Sequence, residues 1–284
     1  MKKVEKVSII FSSSRAPDSI INDVQNTISG VKTEILDTFS VNSISKNLKR
    51  SNFSKPDLFI VIGGDGTMIG SIRGLFHLDV PFLGINQGRV GFLTDIYPDN
   101  LSQLAKVLKG NYVAEKRSIY RAGFSSKNQD IFVNEVVVHS GSIAKMVELE
   151  LSTKNETIYT LRADGLIISS STGSTAYSYS GGGPIISPEL SAFSLLPMFS
   201  FSSSSHSLIL PDNQNLIVKI ENPTTDIDIV VDGKKKLNYS SKGLEISNTK
   251  KYFYLYHPKD YNYFNACRSK LGWALPIEGI KNEK

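Results

Sequence analysis

Five consecutive residues, Gly63-Gly64-Asp65-Gly66-Thr67, carry the clearest chemical signal in the chain. They follow the apolar run Leu58-Phe59-Ile60-Val61-Ile62 and precede Met68 to Phe76, which reads as a helix. A strand that ends in a glycine turn before a helix presents backbone N–H groups to a phosphate. A carboxylate at the tip of that turn can take a proton from a hydroxyl or help to hold a metal ion, and phosphoryl transfer to an alcohol needs both capacities. Gly63, Gly64, Gly66 and Thr67 are therefore read as a phosphate loop with Asp65 beside the phosphate, where both roles stay open. The glycines beside Asp65 admit close approach of a ligand. No lysine follows, so this is not a Walker loop, and the glycine spacing is not that of a dinucleotide fingerprint. The bland alternative is an ordinary strand-to-helix turn.

A second cluster is Asn134-Glu135, set between Ile131-Phe132-Val133 and Val136-Val137-Val138. Such a polar pair marks a bulge or a residue facing water. It also offers the donors and acceptors that a vicinal diol requires, and the residues alone leave both readings open. The third cluster runs from Arg162 to Pro184 and includes Asp164, Thr172-Gly173-Ser174 and Thr175-Ala176-Tyr177-Ser178-Tyr179-Ser180 before Gly181-Gly182-Gly183. Small residues let the backbone approach a ligand, hydroxyls bond it, and Tyr177 can border a base. A flexible Ser/Gly linker is the competing interpretation, but aromatic and apolar residues are interleaved and a strand leads in. Ser169 and Ser174 have no partner arrangement as nucleophiles. The histidines at 77, 139, 206 and 257 show no ligand spacing and are read as structural.

The elements that must position these clusters fall into two textures. The first third alternates strands (Val7–Phe11, Glu34–Leu36, Leu58–Ile62, Val80–Asn86) with helices (Asp18–Ile28, Met68–Phe76, Leu101–Leu108), which predicts a parallel sheet with right-handed crossovers. After Gly110, strand-like segments follow one another: Tyr120–Ser125, Ile131–His139, Met146–Ser152, Ile158–Leu161, Leu166–Ser169, Leu216–Ile220, Ile227–Val231 and Tyr252–Tyr256. This predicts an all-β domain, a sandwich. Tyr263 to Leu271 reads as an amphipathic helix ended by Gly272 and returning to the first domain. The expected fold is thus α/β plus all-β: a Rossmann-like parallel domain, residues 1–112 with the tail 262–284, and a β-rich domain, residues 113–261. Ser200–Ser207 is read as a loop, and no internal repeat is visible.

With 284 residues, 40% apolar and 21% charged, the chain is long enough for two cores. No apolar run approaches the ~20 residues of a membrane helix, and the basic-then-apolar start, interrupted by Glu5, reads as a first strand rather than a signal peptide. The single cysteine, Cys267, excludes an internal disulfide and a zinc set, which favours a cytoplasmic protein. The net charge of +5 is spread along the chain and does not discriminate an anionic small substrate from nucleic acid. Lys234-Lys235-Lys236 reads as a solvated turn.

Taken in order, Gly63–Thr67, Asn134-Glu135 and the run from Asp164 to Pro184 resemble the NAD kinase family. Gly84-Ile85-Asn86-Gln87-Gly88-Arg89-Val90-Gly91-Phe92-Leu93-Thr94, Val231-Asp232-Gly233 and Lys270-Leu271-Gly272-Trp273 extend the similarity over most of the chain. The first motif by itself is shared with diacylglycerol and sphingosine kinases; the set is specific. The resemblance implies transfer of the γ-phosphoryl group of ATP, or of inorganic polyphosphate, to the 2′-hydroxyl of the adenosine ribose of NAD. It implies Asp65 as proton acceptor, Gly66 beside it on NAD, Asn134 and Glu135 on the adenosine end, and Thr175, Ala176, Tyr177, Ser178, Tyr179 and Ser180 around the adenosine. Arg162 and Asp164 match contacts toward the nicotinamide end, which can come from a neighbouring subunit, and Lys145 matches a basic contact. It further implies Mg²⁺ held by the nucleotide without a carboxylate cage, a homodimer or homotetramer built through the β domain, small-molecule substrates, and neither nucleic acid nor membrane as partner.

Three departures stand out. Ser170-Ser171 occupies the place of a usual Thr-Pro and predicts a less pre-ordered loop, since proline's fixed φ is lost. Ser200-Phe201-Ser202-Ser203-Ser204 and then His206-Ser207 replace a segment that carries histidine and arginine, and no role is assigned there. Lys234 stands where glutamine is frequent. Two competing functions remain on the sequence: a lipid or other alcohol kinase sharing the first motif, which leaves Asn134-Glu135 unexplained, and a non-catalytic dinucleotide sensor, which has no use for Asp65.

Overall fold

The computed structural model describes residues 2–14, 16–48, 53–88, 91–142, 145–202, 205–221, 223 and 226–274. Arg89 and Val90 of the Gly84–Thr94 segment, Ser203 and Ser204 of the altered segment, the Lys235 side chain and tail residues 275–284 lie outside the described part. The chain divides into two compact units: Met1–Lys116 with Phe253–Lys284, and Arg117–Tyr252.

The first unit is built from β1 (Lys6–Phe11), α1 (Asp18–Gly30), β2 (Glu34–Ser40), α2 (Ile44–Leu48), β3 (Leu58–Gly63), α3 (Asp65–Leu75), β4 (Phe82–Asn86) and α4 (Ser102–Leu108). Strand order is β2-β1-β3-β4 with every pairing parallel. All six residues of β3 are buried, as a strand covered on both faces requires. On one face Ile9, Ile60, Ile62 and Ile85 pack with Val24 and Ile28 of α1 and Leu104 and Leu108 of α4. Phe59 and Phe82 stack at 5.4 Å between ring centroids, and Met68, Ile72 and Leu75 of α3 are fully buried. Each such side chain contributes roughly 1.5–3 kcal/mol relative to exposure, so the strand that leads to Asp65 is a rigid support.

Helix α3 starts at Asp65, not at Met68 as the sequence suggested. Gly64 is its extended N-cap (φ −95°, ψ −174°). Gly66 and Thr67 are poor helix formers, which masks the true start, while an acidic side chain in the first turn is favoured by the helix dipole. Gly63 is required for local packing: a Cβ there would lie 2.5 Å from Thr67 Oγ1.

The second unit comprises most of β5 (Tyr112–Ser125), then β6 (Asn128–Phe132), β7 (Glu135–Ser140), β8 (Val147–Ser152), β9 (Thr157–Ala163), β10 (Gly165–Ser170), α5 (Tyr177–Ser180), β11 (Ala192–Met198), β12 (Leu208–Pro211), β13 (Leu216–Glu221), β14 (Ile227–Val231), β15 (Lys235–Leu237) and the first part of β16 (Leu244–Pro258). One antiparallel sheet has the order β12-β11-β10-β7-β14-β15. Strands β16, β13, β8 and β9 form a second antiparallel array, and β5 pairs with β16 and β6. The expected sandwich is present: Val136, Val138, Leu166 and Ile168 from the first sheet share one core with Leu149, Leu151, Val218 and Ile246 from the second. By period-two alternation, Val137 and Ile167 point to the opposite face and pack with Leu196. A Cβ on Gly181 would meet Leu196 and Ile167, so the glycine-rich segment lies against that outer face.

Ile131–His139, expected as one strand, is two: β6 and β7 with Val133-Asn134 between them. Strands β11, β12 and β15 were not anticipated. Pro197 obscures β11; it sits beyond the last β11–β12 pair, Leu195↔Leu208, where the missing N–H costs no ladder bond. The sequence put the domain limits at 112/113 and 261/262. In the structure the two units divide at 116/117, inside β5, and at 252/253, inside β16. The end of β16 runs parallel beside β4 (Leu255↔Phe82). The tail helix α6 (Tyr263–Leu271) follows, capped by the Asn262 side chain accepting from Asn265 N–H at 2.9 Å and stopped by Gly272 at φ 66°. Tyr263 meets Phe92 edge-on at 5.8 Å, so the tail packs back on the first unit.

Candidate active site

In the first unit, Asp65 projects from the first turn of α3 and is partly exposed. Its two oxygens accept backbone N–H groups from Phe92 and Leu93, both at 2.8 Å. A carboxylate has about four acceptor positions, so each oxygen retains one. Burial raises the Asp65 pKa above the ordinary carboxylate value. The Leu93 and Phe92 amides and the charge of Lys270 pull the other way, and Asp95 adds to the rise. The net effect is a stronger base than a free aspartate. Gly66 beside it is exposed, and apart from its chain neighbours and its own helix backbone no described atom lies within 4 Å of where its Cβ would stand.

In the second unit, the break between β6 and β7 is organised by Asp232. Its carboxylate accepts N–H groups from Val133 (3.0 Å), Asn134 (2.8 Å) and Glu135 (3.2 Å). Its own N–H bonds the Glu135 carbonyl at 3.0 Å. Asp232 adopts φ 48° and Gly233 φ 66°, a left-handed pair at the tip of the β14–β15 hairpin. The sequence matched Val231-Asp232-Gly233 to the family but gave Asp232 no role.

Ser170 closes the arrangement: its hydroxyl donates to the Val133 carbonyl at 2.6 Å and accepts from Gly173 N–H at 3.0 Å. Gly173 is pressed onto Asn134, where a Cβ would lie 2.1 Å from the Asn134 oxygen. Ser171 donates to Leu190 O, and Ser174 donates to Ser171 O and accepts from Ile186 N–H at 3.0 Å. The expected looser loop is thus offset by serine hydroxyls that fasten it to its neighbours. Buried Arg117 donates to Thr172 at 3.3 Å, a contact the sequence did not suggest.

Glu135 is 6% exposed. It accepts the Tyr177 backbone N–H, and its Oε2 is buried with no hydrogen-bond partner among the described residues. Burial first, then the charge of Asp232, pushes its carboxyl up to about 8, against the pull of the Tyr177 amide. The folded state therefore holds a proton that the unfolded chain releases above about 4.5, and stability falls as pH rises from there to about 8. Glu135→Gln, which stays neutral, should melt higher than wild type at pH 8, by an equivalent on the order of 1–3 kcal/mol, and close to wild type at pH 5. Thermal melts at the two pH values read this directly; a difference that does not change with pH contradicts it.

The structure brings Asn134, Glu135, Gly173 and the Tyr177 amide together in one unit and places Asp65, Gly66 and Thr67 in the other. Tyr177 is 47% exposed, Thr175, Ala176 and Tyr179 are half-buried, and Ser180 is exposed. Ser178 is fully buried, with Gly183 against its hydroxyl, so it supports the turn from within. Arg162 is exposed on β9 and lines a cavity with Phe201 and His206, apart from the Asn134-Glu135 cluster. Asp164 is half-buried in the β9–β10 turn, where its carbonyl accepts Ser140 N–H, and Lys145 is exposed before β8. Among the described residues, no group of three or more His, Cys, Asp or Glu is arranged to hold a metal ion.

Two family models match the chain: the ATP-NAD kinase N-terminal domain over residues 14–112 and the ATP-NAD kinase C-terminal domain over residues 133–257. The NAD kinase of Serratia proteamaculans (strain 568) is 42% identical over 230 residues, 78% of each chain. That of Enterobacter sp. (strain 638) is 40% identical over 242 residues, 82% of this chain and 83% of the relative. Among solved structures, an NAD kinase from Archaeoglobus fulgidus in complex with ATP superposes with a TM-score of 0.76 at 23% identity, covering 93% of this chain and 98% of the other. Yeast NADH kinase complexed with NADH gives 0.79 at 18% identity, covering 99% and 91%. These two share the fold. With both domain models matched in order and relatives about 40% identical over more than three quarters of its length, the chain belongs to the NAD kinase family.

Proposed function

We propose that the protein phosphorylates the 2′-hydroxyl of the adenosine ribose of NAD, with ATP as donor and Asp65 as general base. The observation that carries this reading is the Asp65 carboxylate: fixed by two amides at a helix N-terminus, raised in basicity by burial, and retaining an acceptor position on each oxygen. Named relatives are NAD kinases, and solved structures of the same fold are described with ATP and with NADH.

The ribose 2′-oxygen forms a bond to the γ-phosphorus as the bond from that phosphorus to the β,γ-bridging oxygen breaks. ADP departs, and the hydroxyl proton passes to Asp65 and then to solvent. A sugar hydroxyl barely ionises at neutral pH, so removal of its proton in the transition state contributes ~10²–10⁴-fold; positioning and charge neutralisation supply most of the rest. The Gly63–Thr67 turn directs the amides of α3 toward the phosphates. Asn134 and Glu135 hold the adenosine end, where Glu135 Oε2 hydrogen-bonds the ligand, and Tyr177 flanks the base with the rest of Thr175–Ser180 shaping its pocket. Arg162, Asp164 and Lys145 serve the nicotinamide half.

With no group of three or more His, Cys, Asp or Glu arranged to hold a metal among the described residues, the chain fits a magnesium ion carried on the nucleotide phosphates. When bound there, the ion neutralises charge on the transferred group. Inorganic polyphosphate is the alternative donor. Self-association through the β unit is supported by Phe199 and Phe201, 80% and 77% exposed. Among the described residues no helix is long and apolar enough to cross a membrane, and with one buried free cysteine, Cys267, the expected site is the cytoplasm.

The purified protein incubated with NAD, ATP and Mg²⁺ should form NADP; unchanged NAD at saturating substrates rejects the proposal, and a donor screen including polyphosphate assigns the donor. Because Gly66 has open space around its Cβ position, the fold itself does not require glycine there. Gly66→Ala should fold at least as well, gaining up to about 1 kcal/mol, yet raise KM for NAD roughly tenfold or more by occupying ligand space. An unchanged KM would release Gly66 from the site.

A further inference from the structure

Lys270 lies near the C-terminal end of α6, and its side chain is only 10% exposed. Its ammonium donates to the Gly91 carbonyl, and to the Thr94 carbonyl at 3.4 Å, and stands 3.5 Å from Asp95 Oδ1. It also lies 5.8 Å from the centroid of the Phe92 ring. The Gly91 carbonyl and the Phe92 N–H belong to one peptide group, planar and trans, so they point in opposite directions. One side of that group meets Lys270; the other donates to Asp65 Oδ2 at 2.8 Å. Gly91 adopts φ 64°, and a Cβ there would lie 2.2 Å from the Asn86 amide nitrogen, so this turn is fixed to glycine and its orientation is set.

We propose that Lys270 is a positioning residue for the phosphoryl-transfer reaction, aiming and polarising the Gly91–Phe92 peptide group so that it holds the Asp65 carboxylate in place. A positive charge on the carbonyl oxygen strengthens the N–H on the far side as a donor, since linked hydrogen bonds polarise one another in a low-dielectric setting. Behind Lys270 stands a buried support: Asp95 bonds His257 Nδ1, His257 Nε2 meets Glu115 Oε2 at 3.0 Å, and Tyr261 stacks on the imidazole at 3.9 Å. Burial works against charging His257, yet its bonds to Asp95 and Glu115 outweigh that and hold its pKa above the ordinary value. Among the described residues, the charged groups acting on Asp65 are Lys270 from α6 and Asp95 from the loop, in opposite directions.

This inference rests on Asp65 being the base, and the experiment separates the two ideas. Lys270→Met keeps the length of the side chain and removes both charge and donors. It should lower kcat roughly 10- to 100-fold with KM for NAD within about twofold. Losing the cation makes Asp65 hold its proton more tightly, so the rise of kcat with pH should move to higher pH. Lys270→Arg should restore most of the rate. In the Asp65→Asn background, Lys270→Met should cost nothing further, because the two act as a unit. If Lys270→Met melts far below wild type, Lys270→Gln, which keeps a donor and loses the charge, should show the same pH displacement. An unmoved pH limb, or an equal loss in the Asp65→Asn background, makes Lys270 a purely structural contact and overturns the proposal. Wild-type turnover in Asp65→Asn alone would instead remove the base assignment itself.

Discussion

Asp65→Asn lowers kcat for NADP formation by ~10²–10⁴-fold while NAD affinity stays within a fewfold. The substitution keeps the shape of the side chain and removes the basic oxygen. In the wild type, Phe92 and Leu93 each donate to one carboxylate oxygen at 2.8 Å. An asparagine retains one of these bonds through its carbonyl and turns an NH₂ toward the other amide, so a local cost of about 1–3 kcal/mol accompanies the chemical loss. The two effects are separable: thermal melts report the first, and single-turnover rates at saturating NAD and ATP report the second. The wild-type rate should fall at low pH as the carboxylate takes up a proton, beginning at higher pH than for a free aspartate because burial raises it. Turnover comparable to wild type in Asp65→Asn would transfer the proton-accepting role to another group.

Asp232→Ala has the largest expected effect on stability. Asp232 is 8% exposed, and its carboxylate is the shared acceptor for the N–H groups of Val133, Asn134 and Glu135. Each buried donor left without a partner costs about 1–3 kcal/mol. The loss for three should reach roughly 3–6 kcal/mol, a drop on the order of 10 °C or more in the melting transition of the unit that contains it. Function should fail in a particular way. The same bonds set the angle at which Asn134 and Glu135 leave β6, so KM for NAD should rise at least tenfold, with kcat at saturation less affected. Asp232→Asn distinguishes the charge from the backbone requirement. Asparagine tolerates the φ of 48° seen here and keeps one acceptor, so it should fall between alanine and wild type. If Asp232→Ala melts with wild type, the break between β6 and β7 is held by Ser170 and Gly173 alone.

How far these sites were readable follows from the kind of signal each carries. The unbroken apolar run Leu58–Ile62 announced a strand buried on both faces, and β3 is buried throughout. Asn262 and Gly272 announced both ends of α6 through side-chain capping and a left-handed stop. The polar pair Asn134-Glu135 drew attention to this stretch, but its periodicity suggested one strand where there are two. The break there is imposed by Asp232, 98 residues from Asn134. Strand β15, with its run of lysines, and β11, with Pro197, were missed because pairing and partner position, not local propensity, place them.

The amino-acid sequence by itself determined where the motifs stand and the order of most elements that bear them, because glycine turns, caps and apolar periodicity act over a few residues. Only the tertiary structure decided what fastens those residues. Asp65 is held by amides 27 and 28 residues away, and the Gly91 carbonyl is held by Lys270, 179 residues away. The groups doing the holding on the loop are backbone N–H and C=O, which every non-proline residue carries. No choice of side chain records them, so they become visible only once the chain is folded.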